Sequence, residues 1–329
     1  MQNPRLAELL EVLQRAGAST LHLLPDRVPA LRLAGRMVPI EAAPWGADDL
    51  AELVRDLLFA DHRQHLQSHG FVEVLYVAGD GRRFQATVAE HAGQPSLVMQ
   101  ALGSAPPRLG DLHLPSQVAA LAQAGTGLVV VAGGFGSGCS ETCQAIVDAW
   151  NQDAARHVAT FETSIPCVHP PAGALLHQRQ VGMHVGSVAE GVAQALTLGV
   201  DSVAVAAARD AADLDAVLTA AEAGCAVLLE VAAGSVNGAL QQLLGLVPFE
   251  ARARTRTRLA RVLRGVVAQQ LVAQREPAPR LVVAEVLMAT NGVRAAIRAG
   301  NLHELPALME RGRGHGMQTR EMALADLAK

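Results

Sequence analysis

Ala132-Gly133-Gly134-Phe135-Gly136-Ser137-Gly138-Cys139-Ser140 stands between a run of apolar strand-formers, Leu128 to Val131, and a helical pattern that begins near Ser140. Gly133, Gly138 and Ser140 fall at the spacing G-x-x-x-x-G-K-[ST], the loop whose backbone amides cradle nucleotide phosphates. One position departs from it. Where the loop needs a lysine ammonium to reach the β- and γ-phosphates, the chain has Cys139, and a thiol cannot supply that charge. The candidate phosphate-binding residues are therefore Gly133, Gly136, Ser137, Gly138, Cys139 and Ser140. Ser140 is also the candidate magnesium ligand.

Working outward, the pattern after the loop alternates strand and helix. Strands are predicted at Leu128 to Val131, His157 to Phe161, Ser202 to Ala206 and Ala226 to Val231, and helices at Ser140 to Trp150, Val188 to Leu198 and Ala211 to Ala223. Such alternation specifies a largely parallel sheet with helices on both faces. From about Gly234 the chain reads as mostly helical, broken by a strand-like Arg280 to Leu287. Before the loop, residues 1–103 read as a small α+β domain. Its helices are expected over Leu6 to Leu13, Leu50 to Phe59 and His62 to His69. Its strands are expected over Leu21 to Leu24, Ala30 to Leu33, Phe71 to Val77, Arg83 to Val88 and Leu97 to Leu102, with Gly79-Asp80-Gly81 as a hairpin turn. The proline-rich 104–115 reads as a linker, and 116–329 as the second domain.

Composition narrows the function classes. The chain has 329 residues, enough for two cores, and a net charge of -4 gives no general attraction to nucleic acid or an anionic membrane. No apolar run approaches the roughly 18 residues of a membrane span. The first residues, with Arg5, Glu8 and Glu11, lack a signal peptide's apolar block, so a cytoplasmic protein is expected. The only lysine is Lys329, so no internal lysine exists to replace the one missing from the loop. Four cysteines, at 139, 143, 167 and 225, are too few for a disulfide scaffold. A zinc site drawn from Cys139, Cys143, Cys167 and His169 matches no common module. Arg252, Arg254, Arg256 and Arg258 lie two apart, which spreads them around a helix, and no aromatic platform accompanies them. A solvated helix pairing with acidic neighbours is expected there, not a nucleic-acid surface.

Further segments carry a resemblance. Gly17-Ala18-Ser19-Thr20-Leu21-His22-Leu23 is similar to GASDLHL, Gln178-Arg179-Gln180-Val181 to NQREV, and Leu218 through Gly224 to LTAAETGH. Gly316-Met317-Gln318-Thr319 with Met322 is similar to GMQT-x-x-M. In this order and spacing they resemble the PilT/PilU family, the type IV pilus retraction motors among the type II/IV secretion ATPases. The resemblance implies an α/β chain with an N-terminal PAS-like α+β domain followed by a RecA-like P-loop NTPase domain with a helical C-terminal region. It also implies six-membered rings, homomeric or mixed with PilT/PilU-type motors, and attachment to the pilus platform at the inner membrane.

Matched to that family, the chain departs at several catalytic positions. The acidic box, typically Ile-Glu-Asp-Pro-Ile-Glu, is Phe161-Glu162-Thr163-Ser164-Ile165-Pro166, which leaves Glu162 as the vestigial carboxylate near the magnesium position or as a solvated strand end. Ala207 replaces the glutamate that orients water. Arg209 and Asp210 remain, and are expected to form an ion pair where a helix starts. The box histidines become Cys225 and Ala232, and Glu230 adds a charge where the family is neutral. The family's interdomain arginines fall at Gln85, Gly93 and Gln100. Since the loss of one catalytic group commonly costs about 10²- to 10⁴-fold, the expectation is a pseudo-ATPase: a structural or regulatory partner of an active motor that binds ATP or ADP with magnesium weakly or not at all. The alternatives are a slow ATPase that uses Ser140, Glu162 and a neighbour's arginines, and a redox sensor built on Cys139, whose thiol pKa a helix N-terminus would lower.

Overall fold

The computed structural model describes residues 3–33, 36–102, 105–134, 136–165, 167–272 and 281–327. Phe135, Pro166, Arg280 and Lys329 lie outside the described residues. The chain separates into two compact units, 1–105 with 164–167, and 106–163 with 168–329.

The first unit opens with α1 (Pro4–Arg15), which Asn3 caps by accepting from the Leu6 N–H at 3.2 Å while Pro4 takes the first turn, where its missing N–H costs nothing. Then follow β1 (Thr20–Leu23), β2 (Ala30–Leu33), β3 (Arg36–Pro39), α2 (Ala47–Leu57), α3 (Ala60–His69), β4 (Phe71–Val77), β5 (Arg83–His91) and β6 (Gln94–Ala101). The strands form one antiparallel sheet in the order β3-β2-β1-β6-β5-β4. Leu6, Leu10 and Leu13 of α1 are buried, as are Leu21, Phe84, Leu97 and Met99 of the sheet. β3 is absent from the sequence expectation for a physical reason. All four of its residues are exposed, so this edge strand has no buried face to impose a period of two.

The second unit holds α4 (Ser116–Ala122), β7 (Gly127–Gly133), α5 (Cys139–Asn151), β8 (His157–Glu162), β9 (Leu175–Gln180), α6 (Val188–Thr197), β10 (Ser202–Val205), α7 (Ala211–Glu222), β11 (Ala226–Val231) and α8 (Val236–Gly245). It ends with α9 (Arg252–Val262), β12 (Leu263–Val272), β13 (Leu281–Met288), α10 (Asn291–Ala299), α11 (Leu305–Arg311) and α12 (Arg320–Leu327). Its seven-stranded sheet runs β13-β12-β7-β11-β10-β8-β9. Every pairing is parallel except that of β13 with β12. β7 is buried along its whole length, as a strand with neighbours on both sides and layers on both faces must be. Among the described residues no helix is long and apolar enough to cross a membrane.

Two corrections follow. The region after Gly234 is less helical than expected, because β12 occupies 263–272 beside β7. The sequence conceals it: α9 passes straight into β12 at Leu263, whose extended backbone (φ -58°, ψ 133°) ends the helix with no glycine or proline to mark the change. β9, a polar segment for which no strand is predicted, is the other edge of the sheet. The Gly316–Thr319 signature has a structural part. Gln318 exchanges backbone hydrogen bonds with Val286 at 2.9 and 3.1 Å and donates from Nε2 to the Ala284 carbonyl at 2.8 Å, which ties the C-terminal segment to β13.

Candidate functional site

The loop at 134–138 leaves the end of β7 and enters α5. Gly136 and Gly138 have φ of 71° and 82°, a region costly to any residue with a β-carbon. Gly133 is required for a different reason. A β-carbon there would run into Ser137 Oγ and Cys139 Sγ, and would come within 2.8 Å of the Gln269 carbonyl oxygen. The space beside Gly133 is thus taken by the serine and cysteine side chains themselves, with Ser137 Oγ donating to Cys139 Sγ at 3.3 Å.

Gln269 of β12 was invisible to the sequence reading because its strand was. Its Nε2 donates to the Ser137 carbonyl at 3.0 Å, and its Oε1 accepts from Thr142 Oγ1 at 2.9 Å. The loop is therefore pinned from the neighbouring strand as well as by its own glycines.

Cys139 is 5% exposed, and burial pushes its thiol up to about 12, with Glu230 and Glu141 adding to the effect and the Ser137 hydroxyl opposing it. Cys143, one turn on, is likewise driven well above the ordinary thiol range by burial. Burial therefore acts against the thiolate that the redox-sensor reading requires, since a neutral buried thiol is a poor nucleophile. Among the described residues no group of three or more histidine, cysteine, aspartate or glutamate side chains is placed to hold a metal, so the zinc arrangement does not assemble.

Ser140 Oγ donates to Glu230 Oε1 at 3.0 Å, a carboxylate projected from β11. Burial raises the pKa of Glu230, and the charges of Glu141 and Glu162 raise it further, against the hydrogen bond from Ser140. Glu162, the last residue of β8, is buried, which corrects the reading of a solvated strand end. It accepts from Thr160 Oγ1 at 2.6 Å, Gln144 Nε2 at 3.1 Å and Gln178 Nε2 at 3.2 Å. Burial still raises its pKa over the lowering effect of these donors. Gln144 in turn takes His169 Nε2 on its Oε1 at 2.7 Å, and burial lowers the His169 pKa although Asp148 lies 3.7 Å from its Nδ1. A polar network thus runs from α5 through β8 to His169. Gln144, Thr160 and His169 carry no family motif, Gln178 belongs to the segment similar to NQREV, and only the fold brings the four together. Among the described residues neither Glu162 nor Glu230 has an arginine partner.

The remaining family positions are placed as follows. Ala207, half-buried, follows β10 with only a methyl to offer. Arg209 and Asp210 do not form the expected ion pair. Arg209 Nη2 donates to Thr163 Oγ1 at 3.2 Å, while Asp210 caps α7 by accepting from the Asp213 N–H at 2.9 Å. The short side chain of Asp210, directed onto its own helix, satisfies a backbone donor that no arginine can. Cys225 is buried against the Val200 carbonyl, with Sγ donating at 3.4 Å. Gln85 and Gln100 face each other as cross-strand partners on β5 and β6 of the first unit.

The residues present do not fit a magnesium-bound nucleoside triphosphate. The glycine loop is there, but the lysine position holds a neutral thiol, and the Glu230 carboxylate beside Ser140 has no arginine partner among the described residues. A parallel sheet whose interior strand turns through a glycine loop into a buried helix, on a chain that begins with an antiparallel α+β unit, defines a P-loop NTPase fold. The profile of the type II/IV secretion system protein family matches residues 97–318. The chain belongs to that family, on its PilT/PilU branch. It is 30% identical over 314 residues to the uncharacterized protein YggR of Escherichia coli strain K12, covering 95% of each chain. It is 27% identical to the type IV pilus ATPase PilU of Pseudomonas aeruginosa, over 97% of this chain and 84% of that one. The crystal structure of the pilus retraction motor PilT with bound ADP superposes with a TM-score of 0.87 at 26% identity, over 97% of this chain and 92% of that one.

Proposed function

We propose that this protein is a non-catalytic member of the type IV pilus retraction machinery, a ring-forming structural or regulatory partner of an active motor. The observation that carries the proposal is the buried, neutral thiol of Cys139 where the phosphate site needs a lysine ammonium. Ala207, which puts a methyl where the water-orienting acid belongs, supports the same reading. So does Glu230, an added carboxylate that accepts from Ser140 Oγ at 3.0 Å and has no arginine partner among the described residues. The kept fold supports a role in assembly: a hexameric ring, alone or mixed with PilT/PilU-type subunits, in the cytoplasm and held at the inner membrane by the pilus platform.

The test is a nucleotide titration of the purified protein with and without magnesium, together with phosphate release and oligomeric mass. We expect no phosphate release, a ring-sized mass, and a mixed ring with an active PilT-type motor. Micromolar ATP binding with steady phosphate release would overturn the proposal. It would favour the second reading, a weakly active retraction ATPase, for which the retained cradle geometry of Gly136 and Gly138 and the Gln269 brace speak.

A further inference from the structure

The arginines of α9 divide into two sets. Arg258 is saturated. Its Nε and Nη2 donate to Glu222 at 3.0 and 2.9 Å, Nη2 donates to Thr219 at 3.0 Å, and Nη1 meets Asp215. Arg261 adds a second contact to Glu222. This is the solvated, acid-paired helix expected from sequence, and it holds for one face only.

Arg252 and Arg256 are four residues apart and therefore share a different face. Together with His303, Gln241, Leu244 and Leu302 they line a cavity of about 390 Å³ within the second unit. Among the described residues no carboxylate lines it, and the Nε atoms of both arginines, shielded from water, have no hydrogen-bond partner. Gly300, at φ 85°, closes the arrangement: a β-carbon there would lie 2.9 Å from Arg256 Nη1, so the glycine leaves room for the guanidinium. Two fixed cations with unpaired buried donors and no counter-charge are costly, and a bound anion would offset that cost.

We infer that this cavity is a binding site for a small phosphate monoester. Two guanidinium forks reaching from successive turns of one helix suit a tetrahedral dianion, which offers oxygens in several directions, better than a planar carboxylate, which one fork saturates. The net charge also matches, two arginines against two phosphate charges. Leu244 and Leu302 provide an apolar wall for the organic part, and the volume lies in the range of small-molecule pockets. The site is independent of the glycine loop and of any nucleotide chemistry there.

The experiment is titration of the full-length protein with inorganic phosphate and with ribose 5-phosphate at constant ionic strength, followed by thermal shift and calorimetry. Both are expected to bind, the ester more tightly, and Arg252→Gln with Arg256→Gln should weaken binding by about tenfold or more per arginine. Arg254→Gln, on the same helix but outside the cavity, should leave binding unchanged. Should the double variant fail to fold, exposed His303→Gln serves in its place, with an expected loss of roughly threefold. Phosphate binding that persists undiminished in the arginine variants belongs to the glycine loop and overturns the assignment. So does an acidic or phosphorylated peptide that binds through these arginines while neither small phosphate does.

Discussion

Replacing Glu230 by Gln tests the proposed loss of nucleotide chemistry at its most exposed point. The substitution keeps an oxygen for Ser140 Oγ, 3.0 Å away, and removes only the charge. With a phosphate charge about 5–8 Å from the carboxylate and an effective dielectric near 20, each unit charge is opposed by roughly 2–3 kcal/mol. Lifting that repulsion should tighten the binding of a fluorescent ADP analogue by about 30- to 140-fold. The titration is best done at alkaline pH, because burial and the charges of Glu141 and Glu162 raise the pKa of Glu230, so that its charge is fuller as pH rises. Phosphate release should remain absent, because Ala207 still cannot orient water. An unchanged affinity would mean that Glu230 does not govern the loop. A weaker affinity would mean that the carboxylate helps to bind nucleotide, and the argument from the Ser140–Glu230 contact would fail.

Other outcomes follow from the same geometry. Cys139→Lys alone should give no hydrolysis, since the new ammonium meets the Glu230 carboxylate and the water-orienting acid is still missing; phosphate release in that single variant would refute this. Glu162→Gln should stabilise the protein most at high pH: burial raises the folded pKa above the ordinary 4.5, so wild-type stability grows as pH falls through the raised value, is fully gained below 4.5 and is lost as pH climbs back. Urea unfolding from pH 8 down to 4.5 should show the gap between variant and wild type closing, and a pH-independent gap would count against it. Gly133→Ala should cost about 1–3 kcal/mol by urea unfolding, as overpacking against Ser137, Cys139 and the Gln269 carbonyl requires. Native protein at pH 8 should leave Cys139 and Cys143 unlabelled by a thiol reagent, and rapid labelling of Cys139 would restore the redox reading.

The fold was legible wherever burial imposes a period or glycine marks a turn. β7, β8, β10 and β11 are short apolar runs between turn residues, and the helices between them alternate with them as a parallel sheet demands. β3, β9 and β12 were not legible, for separate reasons. An exposed edge strand lacks periodicity, a polar edge strand resembles loop, and β12 follows its helix without punctuation. The site was legible to the extent that it is local. Gly133 to Ser140 are contiguous, and their geometry follows from glycine conformation. Gln269, Glu230, Gln144 and His169 reach the same region from 4 to 129 positions beyond Ser140, in a pattern that no spacing rule encodes. Only the strand order β12-β7-β11-β10-β8 places them there.

That strand order also explains why the residues at 139 and 230 belong together. β11 lies directly beside β7, with Glu230 in register with Val131, so a carboxylate at 230 reaches the first turn of α5. A lysine at 139 would find that carboxylate and be neutralised by it, while a cysteine can be buried there as an apolar group. Conversely, a carboxylate at 230 next to bound triphosphate would repel its charge, while the Ser140 hydroxyl gives it a hydrogen-bond partner. Cys139 and Glu230, reached through neighbouring strands, thus act on the electrostatics of one site. The glycines and the Gln269 brace serve the backbone of the loop, which the fold needs whether or not ATP is turned over.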